Sequence, residues 1–508
     1  MVVDSVLRGL SQSGCMQLFL IAVVLVSIVS SSRQYLRLRS FKGPFFASFS
    51  RLWLLRTVGS GNAYLHFWNV TQKYGSIARI GPNDLITSDP DLVKHMYGVR
   101  SEYRRSSWYH GMRFDPSRDN FLSLRNEGDH KKLRAKMAAG YSGREMHDIE
   151  AKIDQNIIRL RELLAKYADK GAAVDFAKKA QYFTLDVISD LAFSTPFGFV
   201  QTDSDVYKYI ETVERTLPAT MMTTVVPVLV TLLSLPLFKP AVPSERDRLG
   251  FGRVTRSMDT EEEASIAKSV AAERFGPQKK VHKDMLGSCM PIDTVVYGHV
   301  TLTRNLFLSV AGSDTTATAI RSTLLHIITT PRVLAKLQRE IDGMGITTAV
   351  ISDASARQMP FLQAVIKEGL RIFPPVVGLM SKQAPPGGDY WKGVFIPGGT
   401  RVGSCAWGIF RREDIWGQDS REFRPERWLE SSPAALEKME SALDLIFSHG
   451  RWQCLGQSVA LMELNKVFVQ LLHHFQFSVC DPTNPWKIFD CGIFSQSEFY
   501  VRVERRHL

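Results

Sequence analysis

The stretch FSHGRWQCLG, Phe447 to Gly456, sets one cysteine between two glycines and runs directly into QSVALMELNKVFVQLLHHF, whose apolar period predicts a helix starting near Leu455. A helix beginning there aims its dipole and its unpaired N–H groups at Cys454, which favours the thiolate. Gly450 and Gly456 leave the backbone open to close approach by a flat, bulky ligand. Three fates are open to such a sulfur: inert burial, nucleophilic attack, or ligation of haem iron, where it pushes electron density toward the metal and favours O–O cleavage. No local signature of a cysteine nucleophile surrounds it.

A second stretch, LFLSVAGSDTTATAI, interrupts a long apolar helical pattern with small and hydroxyl residues. Gly312 removes bulk, and the Thr315 hydroxyl is spaced to bond back to the carbonyl of Ala311, so the helix is expected to bend and open a notch beside a cofactor. In a third, FLQAVIKEGLRIFPPV, Glu368 and Arg371 are three apart and share one helix face. His473 and His474 are adjacent, so on a helix they point about 100° apart and cannot chelate one ion together.

Taken in order, these stretches resemble the cytochrome P-450 family of haem-thiolate monooxygenases. The family's loop pattern, Phe-x-x-Gly-x-Arg/His-x-Cys-x-Gly, is met by Phe447, Gly450, Cys454 and Gly456. It departs at Trp452, which stands where the family has the cation that neutralises a haem propionate; an indole donates one hydrogen bond and carries no charge. Arg451 lies next to it. The family's Ala/Gly-Gly-x-Asp/Glu-Thr-Thr/Ser signature is complete across Ala311 to Thr316. The resemblance implies haem b with Cys454 as axial ligand, a hydrogen-bond network on bound dioxygen held by Thr315, and protons relayed by Asp314. It implies further that Glu368 and Arg371, joined by Arg427 of FRPERW, hold the scaffold of the haem loop. HKKLRAKM resembles the family's Trp-x-x-x-Arg helix, with His130 and Arg134 in those two places and within reach of haem propionates. Lys382, beyond the turn-making Pro374-Pro375, lies where the family often has another propionate cation. Ala311, Gly312, Phe447, Gly450, Arg451 and Gly456 complete the expected cofactor contacts.

The elements that must position these residues read as mainly α with small β-sheets at two places, and no Gly/Ser linker divides the chain. One strand pair is expected around Gly81-Pro82 and a second strand zone from Val376 to about Cys405, with helical patterns dominating from about Glu145 to Glu368. At 508 residues and 44% hydrophobic the chain has enough apolar material for a large core. Its six cysteines, Cys15, Cys289, Cys405, Cys454, Cys480 and Cys491, show neither a disulfide framework nor a CxxC zinc spacing. The block Cys15 to Ser32 has close to the length of a membrane-spanning helix and is followed by Arg33, Arg37, Arg39 and Lys42, which predicts an N-terminal transmembrane helix with the downstream chain cytoplasmic. Residues 1–43 are therefore read as anchor and hinge, the hinge at Gly43-Pro44, and 44–508 as the catalytic domain. Thr220 to Phe238 is broken by Pro227 and Pro236 and reads as two short apolar elements, either dipping into the bilayer surface beside the anchor or packed as ordinary buried helices, not as a second span.

The net charge of +12 suits a membrane surface, an acidic protein partner or nucleic acid, and does not choose among them. The resemblance chooses: it implies a lipophilic small-molecule substrate, O2, an NADPH-dependent flavoprotein reductase and a membrane as partners, with no nucleic acid. GGTRVG lacks the strand-turn-helix setting of a dinucleotide site and no Walker sequence occurs, so electrons must come from another protein. The expected location is the endoplasmic reticulum membrane, single-pass. The tryptophan-bearing loop and PERW resemble filamentous-fungal members that tailor secondary metabolites. The competing readings are an isomerase or dehydratase on the same scaffold and a haem-binding sensor or carrier without turnover; neither needs protons delivered to dioxygen by Asp314 and Thr315.

Overall fold

The structure, a computed structural model, describes residues 32–113, 116, 119–141, 148–235, 237 and 298–506, together with positions 17, 21 and 29. The expected anchor, Cys15 to Ser32, lies almost wholly outside the described residues. No helix among the described residues is long and apolar enough to cross a membrane. Next to the expected hinge, Gly43-Pro44, the chain is hydrogen-bonded to Arg79. Arg79 is 1% exposed; its backbone N–H donates to Lys42 O at 2.8 Å, and its guanidinium donates to the carbonyls of Gln34, Tyr35 and Ser48.

Helices form the bulk of the described chain. We label those that carry the argument α1 (Glu127–Tyr141), α2 (Ile149–Lys170), α3 (Phe176–Phe193), α4 (Tyr209–Val225), α5 (Val228–Leu233), α6 (Gly298–Ile328), α7 (Pro331–Gly343), α8 (Pro360–Ile372) and α9 (Gln457–His474). In α2, Ile149, Ile153, Ile157, Leu160 and Leu164 recur at three- and four-residue steps and form its buried face. Gly171 ends that helix at φ 61°, a left-handed position that glycine takes without a Cβ penalty. At the start of α8 the Glu340 carboxylate accepts from the N–H groups of Phe361 and Leu362, both at 2.8 Å, satisfying donors that the first turn leaves without partners. The apolar run expected as two short elements is the end of the longer α4 followed by α5, the break falling at Pro227.

The five-stranded sheet is built from β1 (Ile77–Gly81), β2 (Asp84–Thr87), β3 (Arg104–Arg105), β5 (Lys382–Gln383) and β8 (Arg401–Ser404), in the order β1-β2-β8-β5-β3. Both sequence-expected strand zones feed it, and the second also forms a separate pair, β6 (Asp389–Trp391) with β7 (Val394–Ile396). The register of β3 against β5 sets Arg105 directly opposite Lys382. A third strand region, absent from the sequence reading, pairs β4 (Val174–Asp175) and β9 (Phe475–Val479) with β12 (Tyr500–Arg505), and β10 (Lys487–Asp490) with β11 (Phe494–Ser497).

The central helix α6 packs on α3, α8 and α9. Its crossing with α8 is close because Gly369 has no side chain: a Cβ there would lie 2.0 Å from the Thr323 hydroxyl oxygen. Glu368 and Arg371 flank that contact on one side and Asp314 and Thr315 lie on the crossing helix, so the glycine sets the spacing of both. Gly369→Ala should overpack this crossing and cost about 1–3 kcal/mol, read as a lower midpoint of thermal unfolding.

Candidate functional site

Cys454 lies four residues beyond a tight turn. Gly450 at φ 60° lies so near the helix Pro90–Tyr97 that a Cβ would come within 2.5 Å of Tyr97 O. The Cys454 N–H donates to Phe447 O at 2.7 Å, closing the loop, and Phe447 and Leu455 pack against the core. Gly456 is the N-cap of α9, which begins two residues later than the period suggests. The cysteine is exposed, but protein surrounds it closely enough to desolvate the thiol, so it faces an opening inside the molecule. Burial pushes the thiol up; the amides of Gly456 and Gln457 and the Arg134 guanidinium act the other way and fall short. The expectation that the helix start leaves a lowered thiol is thus corrected: the donors are present, and desolvation exceeds them.

On α6, Ala311, Gly312 and Thr315 are half-open while Ser313, Asp314 and Thr316 are buried. The Thr315 hydroxyl donates to Ala311 O at 2.7 Å, and the helix continues unbroken through this point. The volume freed at Gly312 is taken up by the neighbouring helix, since a Cβ there would meet Ile188 of α3 at 3.1 Å. Asp314 turns toward α3. It accepts from Gln181 Nε2 at 2.7 Å and from Ser313 Oγ at 3.2 Å, while Arg321, two turns along α6, donates to Gln181 Oε1 at 2.9 Å. Burial raises the Asp314 carboxyl to about 6, with Arg321 opposing the shift. Arg321 was findable, being seven residues from Asp314 on the same face; Gln181 carries no sequence signal.

Around Trp452 the structure gathers His130, Arg105 and Lys382. The indole is 9% exposed, with the Lys382 ammonium 4.0 Å and the Arg105 guanidinium carbon 4.1 Å from its ring centroid. The His130 ring lies 4.3 Å from the indole and 4.8 Å from the ring of Phe121, centroid to centroid. Lys382 is wholly buried, and its Nζ has no hydrogen-bond partner among the described residues; nor has His130 Nε2 or Arg105 Nε. Desolvation, then Arg105, Arg134 and Lys382, push His130 down to about 3, so it is a neutral imidazole. Arg134 donates to Gln453 O at 2.6 Å. Arg451 is occupied elsewhere: it pairs with Glu127 and donates to the carbonyls of Val99 and Ser101. Arg105 is absent from the sequence reading because only strand pairing brings it here.

The family model for cytochrome P450 matches residues 43–501. The chain belongs to the cytochrome P450 family. It is 42% identical over 491 residues to the cytochrome P450 monooxygenase ABA1 of Pyricularia oryzae, covering 93% of this chain and 94% of that one. To the cytochrome P450 monooxygenase aba1 of Botryotinia fuckeliana it is 36% identical, with 92% of each chain covered. A pisatin demethylase of Fusarium vanettenii is 28% identical, over 92% of this chain and 90% of its own. As a P450 the protein is a haem-dependent monooxygenase of lipophilic small molecules, using O2 and electrons from a reductase.

The family's cofactor is cysteine-ligated haem b, and the residues at this loop fit it. Haem carries two carboxylates; near the one cysteine of the loop lie a buried Lys382 Nζ and a buried His130 Nε2 that have no hydrogen-bond partner among the described residues. The P450 scaffold behind the loop treats charge in the opposite way. Glu368, 0% exposed, accepts from Arg371 Nε and Nη2 at 2.9 and 2.8 Å, from Arg427 Nε and Trp428 Nε1 at 3.0 Å each, and from the Arg424 amide at 2.9 Å. Arg371 also donates to the carbonyls of Phe410, Ser420 and Glu422, and Arg427 to those of Trp416 and Asp419. Burial alone would raise Glu368; Arg371, then Arg427 and the Arg424 amide, more than offset it and hold the carboxylate below its ordinary value. Trp428 is a member of this network that the sequence reading lacks.

A depressed carboxylate contributes stability above its unfolded-state value and loses it as the pH falls through the folded one. Glu368→Ala should cost about 3–5 kcal/mol by leaving Arg371 without its counter-charge and Arg427 with Asp419 alone, measured by denaturant unfolding. Glu368→Gln should in addition remove part of the protein's acid-side loss of stability below about pH 4.5.

Proposed function

We propose that this P450 oxidises a lipophilic secondary metabolite at a haem b ligated by Cys454, from a position on the endoplasmic reticulum membrane. The observation that carries the reading is the pairing of a desolvated cysteine at a helix start with a buried lysine whose Nζ has no hydrogen-bond partner among the described residues. Haem, when bound, supplies the activation of dioxygen and the insertion of one oxygen atom. His130, Arg134 and Lys382 would hold its carboxylates, Ala311 would lie beside it, and Phe447, Gly450 and Gly456 shape the loop. Glu368, Arg371 and Arg427 fix the scaffold under that loop and take no part in the chemistry.

The remaining tasks fall to α6. Thr315 presents the hydroxyl nearest the open side of the helix and holds the hydrogen bonds of the oxygen site. Asp314 keeps a proton in store: with its carboxyl near 6 it is part protonated at neutral pH, and Gln181, itself held by Arg321, fixes where the carboxyl lies. Substrate specificity is set where Trp108, Met221, Gly378 and Gly492 meet, an uncharged contact suited to an apolar molecule. That relatives include a pisatin demethylase supports a secondary metabolite as the class.

For the membrane, residues 1–43 supply a single-pass anchor, and two apolar surfaces reinforce it. Phe45, Phe46, Phe49 and Leu52 are exposed, as are Val228, Leu229, Leu232, Leu235 and Leu237. Arg51 ties the two groups together by donating to Val225 O at 3.3 Å. The exposed Lys131 and Lys132 of α1 offer a docking face to an NADPH-dependent flavoprotein reductase.

Deletion of the gene should make the substrate accumulate, and turnover of that compound with reductase then tests the mechanism. Thr315→Ala should lower product formed per NADPH consumed by roughly tenfold or more while NADPH oxidation continues; an isomerase, a dehydratase or a carrier would be indifferent. In the wild type this ratio should decline as the pH rises through about 6, where Asp314 loses its proton, and Asp314→Asn should remove the inflection.

A further inference from the structure

Positive charge at the cysteine loop of this P450 does not come from the loop. Trp452 occupies the family's cationic position, and its neighbour Arg451 is held by Glu127 and two carbonyls. Two other cations converge there because of the sheet: antiparallel pairing of β3 and β5 sets Arg105 opposite Lys382, 6% and 0% exposed. Like charges directly across a strand pair repel, and desolvation adds to the cost. Both lie about 4 Å from the centroid of the same indole, well inside the range of cation–π attraction. Lys382 sits in addition 4.3 Å from the Tyr97 ring.

We propose that Trp452 replaces the loop cation by serving as an uncharged aromatic plate that holds Arg105 and Lys382 toward the haem carboxylates, so that the sheet and not the cysteine loop neutralises them. This rests on the haem-thiolate reading above. An aromatic ring attracts both cations but removes the charge of neither, and a buried ammonium still requires an anion. The protein's own candidate is Glu127, which attracts both cations electrostatically; its carboxylate is paired with Arg451 and makes no hydrogen bond to Lys382 or Arg105. The three carbonyls of Phe121, Leu122 and Leu124 that receive Arg105 Nη1 fix where the guanidinium lies while leaving its Nε without a partner. In this setting an arginine at 452 would be a third cation in a volume already crowded with two. The family residue is therefore excluded at this position unless one of the others is removed.

The test is haem retention by the full-length holoenzyme, followed as the rate of haem transfer from the ferric protein to apomyoglobin. Trp452→Leu and Lys382→Met should each release haem about tenfold faster than wild type, and Trp452→Phe, which keeps a ring, should lie closer to wild type than Trp452→Leu. Trp452→Arg should also lose haem faster, and Trp452→Arg combined with Lys382→Met should recover retention to within about threefold of wild type. Recovery in the double variant is a result that damage to the fold would not give. Wild-type retention by Trp452→Arg, indifference to Trp452→Leu, or a double variant as leaky as its parents would each overturn the proposal. Absence of haem from the wild type, read by its pyridine haemochrome, would instead overturn the reading beneath it.

Discussion

A charge removed from water has to meet its opposite, and the two buried charge clusters of this protein answer that demand differently. Glu368 is surrounded by five donors from Arg371, Arg427, Trp428 and the Arg424 amide, and the two buried arginines spend further N–H groups on carbonyls and, for Arg427, on the Asp419 carboxylate. That cluster is closed and neutral in effect. Near the cysteine loop, Lys382 is just as deeply buried and finds two aromatic rings but no acceptor among the described residues. Burial, then the Arg105 guanidinium, push the Lys382 ammonium well below its ordinary value, and an anion from outside the chain would restore its charge. The contrast separates scaffold from site without reference to any relative.

The closed cluster serves the open one. α8 carries Glu368 and Arg371, crosses α6 at Gly369, and through Arg427 and Trp428 fixes the segment that leads toward the cysteine loop. α6 carries Asp314 and Thr315 on two different sides, one buried against α3 and one half-open. The division suits a helix that must store a proton in one place and present a hydroxyl in another. α9 begins at the end of the cysteine loop and points its free N–H groups at the sulfur, which offsets part of the cost of burying it.

Much of this is legible in the sequence where spacing alone fixes geometry. Glu368 and Arg371 share a helix face at any three-residue step, the Thr315 hydroxyl reaches the carbonyl four residues back, and Cys454 precedes a clear helical period. The β-strands around Gly81 and after Val376 carry period-two patterns bounded by glycine and proline. FQFSV and YVRVER carry the same pattern, so the strand region at the C-terminus is legible in principle. What spacing cannot supply is tertiary pairing. Arg105 meets Lys382 through the register of two two-residue strands, Gln181 reaches Asp314 across a helix interface, and Gly312 yields its volume to Ile188. The lowered thiol expected from the helix start fails for a related reason, because the dipole is local and visible in sequence while burial is a property of the whole fold.

The central claim is that the Cys454 sulfur, in anionic form, is the protein's ligand to haem iron. The absorption spectrum of the reduced, carbon-monoxide-bound protein tests it most directly, taken beside Cys454→Ser. The account predicts the red-shifted band of thiolate ligation in the wild type and its loss in the variant. A wild type without that band, or a variant that keeps it, would contradict the account.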